Sequence, residues 1–276
     1  MNEYRYRHIS FLSDYGVTDE FAGVCRGIML RIAPEATVID LTHGIPPQDV
    51  HAGAIVLARS VGYLPRGVHL AVVDPGVGSG RLPVILSTAG GSVLVGPDNG
   101  LLLPAASRLG GIEAAHRIEN PDLVLPAPSN TFHGRDIFAP AAAYLALGVE
   151  PAAFGAPVES ESLVQVLIPV ARRHHDHFHG KVQHVDRFGN LQLNLEGKEL
   201  LAAGLTVGSL LEVRIEGRRI LVPFRETYAS VGRGQLVLAQ DSDGLVSIAV
   251  SHGSAQEALG TAVGASFILG PPGTSH

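Results

Sequence analysis

The first half of the chain alternates short apolar runs with segments of helical periodicity, and this alternation restricts the fold more than any other feature. Two of the runs, residues 68–73 and 84–87, are almost wholly apolar, which is typical of strands covered on both faces. Earlier runs at residues 9–12 and 37–41 each precede a stretch with apolar side chains at helical spacing. The alternation predicts an α/β domain with a mostly parallel central sheet.

Capping signals place the helices of this domain. Thr18 is expected to cap the first helix, with two acidic residues behind it in the first turn. A second helix is expected to start near Asp49, and a later one to cover residues 137–147. Cys25 falls on the apolar face of the first helix, so it is predicted to be a core residue and not a nucleophile.

Short strand-like runs dominate the second half, where helical periodicity mostly disappears. They lie at residues 181–185, 191–195, 210–215, 218–222, 235–239 and 245–250. Glu216-Gly217 and Asp243-Gly244 stand between successive runs, as the turns of β-hairpins do. We therefore expect an N-terminal α/β domain over residues 1–170 and a C-terminal antiparallel β-barrel-like domain over residues 178–276.

Composition limits the kind of protein further. With 276 residues, 46% of them apolar and 17% charged, the chain has ample material for a folded core. A net charge of −6 disfavours a nucleic-acid partner, and a single cysteine excludes a disulfide-stapled secreted scaffold. No apolar run approaches the ~18–20 residues of a membrane span, and the polar N-terminus is unlike a signal peptide. We expect a soluble, cytoplasmic protein without nucleic-acid or membrane partners.

Carboxylates follow several strands of the predicted sheet. Asp14, Asp74 and Asp98 each come directly after an apolar run. Because ligands bind outside the carboxyl ends of parallel strands, the three side chains are expected to face one crevice. An Asp at the start of a loop often only closes an Asx turn, and for each residue taken singly that alternative stays open. Three at one edge favour a ligand site.

The loop Gly76-Val77-Gly78-Ser79-Gly80-Arg81 is rich in glycine. Such loops allow backbone N–H groups to approach a phosphate. However, a Rossmann fingerprint requires glycine where this chain has Arg81, and the lysine of a P-loop is absent. Further on, His133 precedes a predicted helix and can titrate near neutrality. From the residues alone, a flexible turn and an exposed loop histidine stay open as alternatives.

A histidine cluster, His174-His175-Asp176-His177 with His179, has the composition of a metal site. No second group of carboxylates or cysteines with ligand spacing accompanies it, and it falls in the predicted interdomain segment. A solvated linker is the preferred interpretation, and no metal is expected.

Seven motifs occur in a fixed order along nearly the whole chain. They are Ser13-Asp14-Tyr15-Gly16, Asp40-Leu41-Thr42-His43, Val73-Asp74-Pro75-Gly76-Val77-Gly78, Gly96-Pro97-Asp98-Asn99-Gly100, Phe132-His133-Gly134-Arg135-Asp136, Asp186-Arg187-Phe188-Gly189-Asn190 and Asp241-Ser242-Asp243-Gly244. This pattern resembles the S-adenosyl-L-methionine (SAM) hydroxide adenosyltransferases, or adenosyl-forming SAM hydrolases, which are relatives of fluorinase and chlorinase. The resemblance implies hydrolysis of SAM, the substrate, to adenosine and L-methionine without a cofactor. It also implies a homotrimer with active sites between subunits.

The implied reaction has one difficulty, the nucleophile. The sulfonium of SAM makes methionine a neutral leaving group, so C5′ can be displaced in line without a general acid, whereas water is weak and must be oriented. The family places an Asp, an Arg and a His around that water, and these match Asp74, Arg81 and His133. The resemblance implies that Asp74 and Arg81 orient the water jointly, with His133 as a proton relay.

Binding residues also carry over by motif. Asp14 matches a position beside the ribose hydroxyls or the methionine region. Asp186 and Asn190 match positions that hold the methionine ammonium and carboxylate. The remaining matches, one expected to cover the ligand and two expected at the edge of adenine, are Phe188, Ser242 and the backbone of Val250.

Three alternatives to a metal-free SAM hydrolase stay open. A halogenase would form 5′-halo-5′-deoxyadenosine, but Gln48 stands where the halogenating relatives have a tryptophan against the ribose, and Asp74 where they have a tyrosine. A non-catalytic adenosine- or SAM-binding module would have the same pocket without turnover. A metal-dependent hydrolase that uses the histidine cluster is the most distant alternative.

Overall fold

The computed structural model describes residues 5–273, which divide into two compact units between Ile168 and Pro169. The first unit alternates strands with helices, and the second is built mainly from short strands. No helix in the described range is long and apolar enough to cross a membrane.

A single sheet organises the first unit. In chain order its elements are β1 His8–Ser13, α1 Phe21–Ile32, β2 Thr37–Thr42, α2 Val50–Ser60, β3 Val68–Val72, β4 Pro83–Thr88, β5 Val93–Pro97, α3 Leu103–Arg108, β6 Ile112–Arg117 and α4 Ala139–Ala146. The strand order is β2-β1-β3-β5-β4-β6. Pairings β1–β2, β1–β3 and β3–β5 are parallel, whereas β4 runs antiparallel to both neighbours. The predicted α/β class is confirmed, and the sheet is mixed because β4, which lies next to the edge strand β6, pairs antiparallel on both sides.

Helices cover both faces of this sheet because successive strand residues point to opposite sides. Phe11 is buried with Cys25 of α1 and with α4, whereas the next residue, Leu12, is buried with Leu57 of α2 and with α3. All five residues of β3 are buried, as its apolar run predicts. Cys25 is a core residue as expected, and burial raises the pKa of its thiol to about 12.

Two predicted helix starts can be compared directly with the structure. Asp49 caps α2 by accepting a hydrogen bond from the N–H of Ala52 at 2.9 Å, as predicted. The helix predicted over residues 137–147 begins earlier, as a π-helical turn, Gly134–Phe138, that continues into α4. Such π-helical turns are frequent at functional sites.

The predicted Thr18 cap is wrong. Helix α1 begins at Phe21 with Glu20 as its N-cap residue, and no side chain caps it. Phe21 packs edge-on against the rings of Tyr15 and Phe132, with centroids 5.9 and 5.2 Å apart. The first turn is therefore held by tertiary packing of an apolar side chain, which overrides the local capping signal.

A nearly closed antiparallel barrel forms the second unit, as predicted. Its elements are β7 Arg172–His174, β8 His177–Val185, β9 Leu191–Glu196, α5 Gly197–Ala202, β10 Leu210–Ile215, β11 Arg218–Pro223, β12 Leu236–Gln240, β13 Leu245–Val250, α6 Ala255–Leu259 and β14 Ser266–Gly270. The strand order is β11-β10-β14-β8-β9-β13-β12, with β7 paired to β8. A bridge between Phe224 and Leu238 joins the two ends of this order, and buried side chains such as Val213 and Phe267 fill the interior.

The histidine cluster belongs to this barrel, which corrects its interpretation as a linker. In the β7–β8 hairpin His174 pairs with His177, and Nδ1 of the buried His177 lies 2.7 Å from Oδ1 of Asp176. The sequence gives no strand signal here, because the three residues of β7 are all exposed and polar. Among residues 5–273, no three His, Cys, Asp or Glu side chains are grouped so as to hold a metal ion.

Candidate active site

Parallel strands bring carboxylates to one edge of the first unit. Asp14 directly follows β1, and Asp74 lies just beyond the end of β3. Both line a cleft of about 850 Å³, together with His133 and its neighbours in the segment 129–135. Two of the three carboxylates predicted to share a crevice therefore do so.

The third carboxylate, Asp98, is absent from the lining of this cleft. Its backbone N–H donates to the carbonyl of Leu82, and its Oδ1 accepts from the N–H of Val164 at 2.9 Å. Burial raises the pKa of Asp98. Its carboxylate thus closes a loop contact away from the cleft, in line with the structural alternative for a loop-start Asp.

Asp74, Arg81 and His133 form a connected group at the cleft. Arg81 donates from Nε to Oδ1 of Asp74 at 3.0 Å and from Nη2 to Oδ2 of the same carboxylate. The same Nη2 lies 2.8 Å from Nδ1 of His133. The Asp74 and Arg81 side chains are only 6% and 9% exposed. The ion pair is therefore shielded from bulk water. Either charge would be costly in this buried position without its partner.

The glycine-rich loop turns the chain back so that Arg81 reaches Asp74. Gly78 has a φ of 75°, and a Cβ there would stand 2.6 Å from the carbonyl oxygen of Asn130. Only glycine allows this conformation and this approach together. The loop thus packs against the segment that carries His133 and holds the three side chains in one place.

The contact with Arg81 decides where His133 carries its proton. A guanidinium can only donate, so Nδ1 of His133 accepts and the proton of the neutral ring is on Nε2. Burial lowers the pKa of His133, and the charge of Arg81 lowers it further, against opposing effects of Asp74 and Asp136. At neutral pH the ring therefore presents an Nε2–H donor.

Asp14 has a hydrogen-bond partner in the cleft wall. Its Oδ2 accepts the backbone N–H of Gln48 at 2.8 Å. Gln48 has a φ of 66°, in the left-handed region that non-glycine residues rarely adopt. Asp14 thus holds a strained backbone segment beside the cleft, a role that the motif did not indicate.

An aromatic wall of the cleft had no role in the sequence analysis. Tyr15, Phe21 and Phe132 pack edge-to-face with centroid separations of 5.2 to 5.9 Å, and all three line the cleft. The guanidinium of Arg135 lies 5.0 Å from the ring centre of Phe132. Tyr15 and Phe132 belong to the ordered motifs, and this was the one sequence signal that could have indicated their place in the cleft.

In the second unit, Asp186, Phe188 and Asn190 lie together in the turn between β8 and β9. Oδ1 of Asp186 accepts the N–H groups of Phe188 and Asn190 at 2.8 and 2.9 Å, and Oδ2 accepts from the Asn190 amide at 2.7 Å. Asp186 therefore organises this turn. Phe188, expected to cover a ligand, is 75% exposed.

Ser242 and Val250 are not brought together. Ser242 lies in the turn between β12 and β13, whereas Val250 ends β13 and pairs with Leu236 at the far end of the hairpin. At ~3.4 Å per residue, the length of β13 separates them by roughly 17 Å. One chain therefore does not offer both to the same edge of a ring. Beside Ser242, Asp241 accepts a hydrogen bond from Nε2 of Gln192 at 2.6 Å, a contact that the sequence pattern does not indicate.

An α/β unit with a cleft at its strand ends, lined by Asp74 and His133 that Arg81 joins, belongs to the class of proteins with a small-molecule site. The chain belongs to the SAM hydroxide adenosyltransferase family, because residues 9–155 match the model of that family's N-terminal domain and residues 180–268 match the model of its C-terminal domain. The resemblance read from the motifs is confirmed.

Curated relatives agree with this membership. The chain is 47% identical over 258 residues to the (R)-S-adenosyl-L-methionine hydrolase of Salinispora tropica, covering 93% of this chain and 95% of the relative. The protein of the same name from Thermus thermophilus is 43% identical, covering 92% and 96%. The fluorinase of Nocardia brasiliensis is more distant, at 27% identity over 86% of this chain and 91% of its own.

A solved structure supports the fold. An uncharacterized conserved protein from Thermotoga maritima has a TM-score of 0.90 and 32% identity, covering 95% of this chain and 99% of its own.

Proposed function

We propose that the protein hydrolyses SAM to adenosine and L-methionine. The observation that carries this proposal is the hydrogen-bonded Asp74–Arg81–His133 group at the cleft, in a chain 47% identical to a relative named as a SAM hydrolase. In the reaction the water oxygen bonds to C5′ while the C5′–S bond breaks, and its electron pair stays on sulfur as a neutral thioether. One water proton must be removed, so orientation and proton acceptance are the tasks left to the protein.

We assign these tasks from the hydrogen bonds of the group. Arg81 fixes the plane of the Asp74 carboxylate, whose oxygens keep lone pairs for water because each accepts only one hydrogen bond from Arg81. His133 has its acceptor nitrogen occupied by Arg81 and its other nitrogen protonated, so it donates to the water oxygen. Asp74 is then the member of the group that accepts the water proton, and His133 positions the water instead of relaying the proton.

Substrate contacts are proposed from the family motifs. Asp14, with Oδ2 taken by Gln48, would use Oδ1 for a ribose hydroxyl or the methionine region. The negative charge of Asp186 suits the methionine ammonium, and Asn190 beside it suits the carboxylate. Phe188 would cover the ligand, and Ser242 or the Val250 backbone would contact adenine.

We also propose a cytoplasmic homotrimer with active sites at subunit interfaces and without a metal or other cofactor. Inactive Asp74→Ala and Asp186→Ala chains, assembled together, should partly restore turnover if one site takes residues from two chains. Verified mixed trimers without any rescue would show that each site lies within one chain.

The decisive experiment is chromatography of SAM incubated with the purified protein, with and without a chelator. Adenosine and methionine should form in equal amounts in both samples. Asp74→Asn should abolish most of this turnover, by ~10²–10⁴-fold, whereas Asp98→Asn, which alters a carboxylate outside the cleft, is the matched control and should retain it. SAM binding without product would favour a binding module, and loss of activity with chelator would favour a metal-dependent enzyme.

A further inference from the structure

Tyr15 lies near the Asp74–Arg81–His133 group and has no assigned role. It follows Asp14 at the end of β1 and lines the cleft. Its ring is held edge-on by Phe11, Phe21 and Phe132, with centroids 6.4, 5.9 and 5.7 Å away. Three such contacts fix the ring plane and therefore the direction of the hydroxyl.

The hydroxyl occupies space that the side chain of residue 134 would otherwise fill. A Cβ on Gly134 would stand 1.9 Å from the Tyr15 hydroxyl oxygen and 3.0 Å from Cζ. No backbone strain explains this glycine, because it is the first residue of the π-helical turn that His133 caps. Gly134 therefore makes room for the Tyr15 hydroxyl next to His133.

The same hydroxyl is available for a ligand. Within residues 5–273, no hydrogen bond joins it to another residue. Burial raises the pKa of Tyr15, and nearby Cys25, Asp14 and Asp74 raise it further against the effect of Arg81. The group is thus a neutral phenol, whose oxygen can accept a hydrogen bond as well as donate one.

The attacking water needs such an acceptor. A water molecule has two protons and two lone pairs, and one lone pair must face C5′. His133 Nε2–H satisfies the other lone pair and Asp74 accepts one proton, which leaves the second proton without a partner. We propose, on the basis of the proposed hydrolysis, that Tyr15 is a further catalytic residue whose hydroxyl oxygen accepts this second proton in a hydrogen bond and completes the orientation of the water.

Removal of the hydroxyl alone tests this assignment. Tyr15→Phe should lower kcat about tenfold or more, the size of one lost hydrogen bond that aligns the nucleophile. KM for SAM and the unfolding temperature should stay close to those of the wild type, because the ring and its aromatic contacts are kept. Tyr63→Phe, which removes an exposed hydroxyl, is the matched control and should leave kcat unchanged.

A double-mutant cycle separates this role from simple packing. Gly134→Ala should lower kcat, because its methyl group displaces the Tyr15 hydroxyl. In a Tyr15→Phe background the same substitution should cost much less, since the nearest clashing atom is gone. Additive losses would show that the two positions act independently and would overturn the proposal.

The remaining outcomes are distinguishable. Wild-type protein that forms no adenosine from SAM would overturn the proposed function and this inference with it. Normal wild-type turnover together with an undiminished kcat for Tyr15→Phe would overturn the inference alone. A Tyr15→Phe variant that loses SAM affinity in proportion to kcat would assign the hydroxyl to the substrate and also overturn it.

Discussion

Arg81 and His133, 52 residues apart in the chain, are joined by a 2.8 Å contact between Nη2 and Nδ1 that fixes the histidine as an Nε2–H tautomer. The same guanidinium holds both oxygens of Asp74. One cation therefore sets the orientation of an acceptor and of a donor at the same time.

The pH dependence of turnover should reflect the neutral state of His133. Burial and the charge of Arg81 lower the pKa of His133 below its ordinary value of about 6.5, so the ring stays neutral as the pH falls through 6.5. Below its lowered pKa, protonation of Nδ1 displaces the Arg81 donor, and kcat/KM should then fall. A pH profile of kcat/KM measures this.

His133→Gln provides the control for that profile, because a side-chain amide can accept and donate but does not titrate near neutrality. The limb assigned to His133 should be missing in this variant. A limb that persists there, or a wild-type limb centred at or above pH 6.5, would contradict the assignment.

The Asp74–Arg81 pair should matter for stability as well as for turnover. Arg81→Met leaves a buried carboxylate without its partner, which costs about 3–5 kcal/mol in the free energy of unfolding. Arg117→Met is the control, because Arg117 pairs with Glu119 at a half-exposed position where such pairs contribute about 0–1 kcal/mol. Urea unfolding of both variants measures the difference, and equal small losses would show that the pair is solvated.

The carboxylates at the sheet edge show how much of the candidate site could be predicted from the sequence. Parallel strands end at one edge, so the pattern alone placed Asp14 and Asp74 in one cleft. Asp98 follows the same rule, yet its side chain closes a loop against Val164, which depends on a distant segment.

The contact between Arg81 and His133 was equally hidden in the pattern, because the packing of Gly78 against Asn130 creates it. The resemblance to the family predicted that Asp74, Arg81 and His133 act together, whereas their spacing in the sequence did not.

Local signals failed where tertiary packing decides the structure. Thr18 is a good capping residue, but the rings around Phe21 set the helix start. The space that Gly134 leaves for Tyr15 is visible only in the folded structure, because the two residues are far apart in the chain. A pattern records which residues prefer a helix, strand or turn, and it contains no information on these long-range contacts.

His69 should make the first unit sensitive to acid. It is buried on β3, with Nδ1 2.9 Å from Oγ of Ser10, and its Nε2 has no hydrogen-bond partner in the described part of the chain. Burial lowers the pKa of His69 to about 4. Below pH ~6.5 the unfolded chain binds a proton that the folded chain does not, so stability should fall by ~1.4 kcal/mol per pH unit until about pH 4.

Urea unfolding between pH 7 and pH 4 checks this slope in wild-type protein, in His69→Gln and in His252→Gln. The first variant should lose part of the slope, because neither its folded nor its unfolded state titrates at that position. The second removes an exposed histidine and should keep the full slope. Identical slopes in all three proteins would exclude His69 as the source.

Asp14 should serve both the cleft and its wall, and two substitutions separate these effects. Asp14→Ala removes the acceptor for the strained Gln48 N–H and should lower the free energy of unfolding by about 1 kcal/mol. Asp14→Asn keeps an oxygen acceptor and should lose little stability, while both variants weaken SAM binding through the lost charge. Calorimetric binding and urea unfolding measure the two effects, and equal stability of both variants would show that the Gln48 contact contributes nothing.

The choice of nucleophile separates a hydrolase from a halogenase. A halide must lose its hydration shell, so a halide site needs neutral donors in an apolar setting, and a carboxylate there repels the anion. Asp74 lines the cleft, and its pairing with Arg81 leaves no net positive charge to attract chloride or fluoride. Excess fluoride or chloride, compared with sulfate at equal ionic strength, should leave adenosine as the only nucleoside product of SAM. Chromatography that shows 5′-fluoro- or 5′-chloro-5′-deoxyadenosine as the major product would instead establish halogenation.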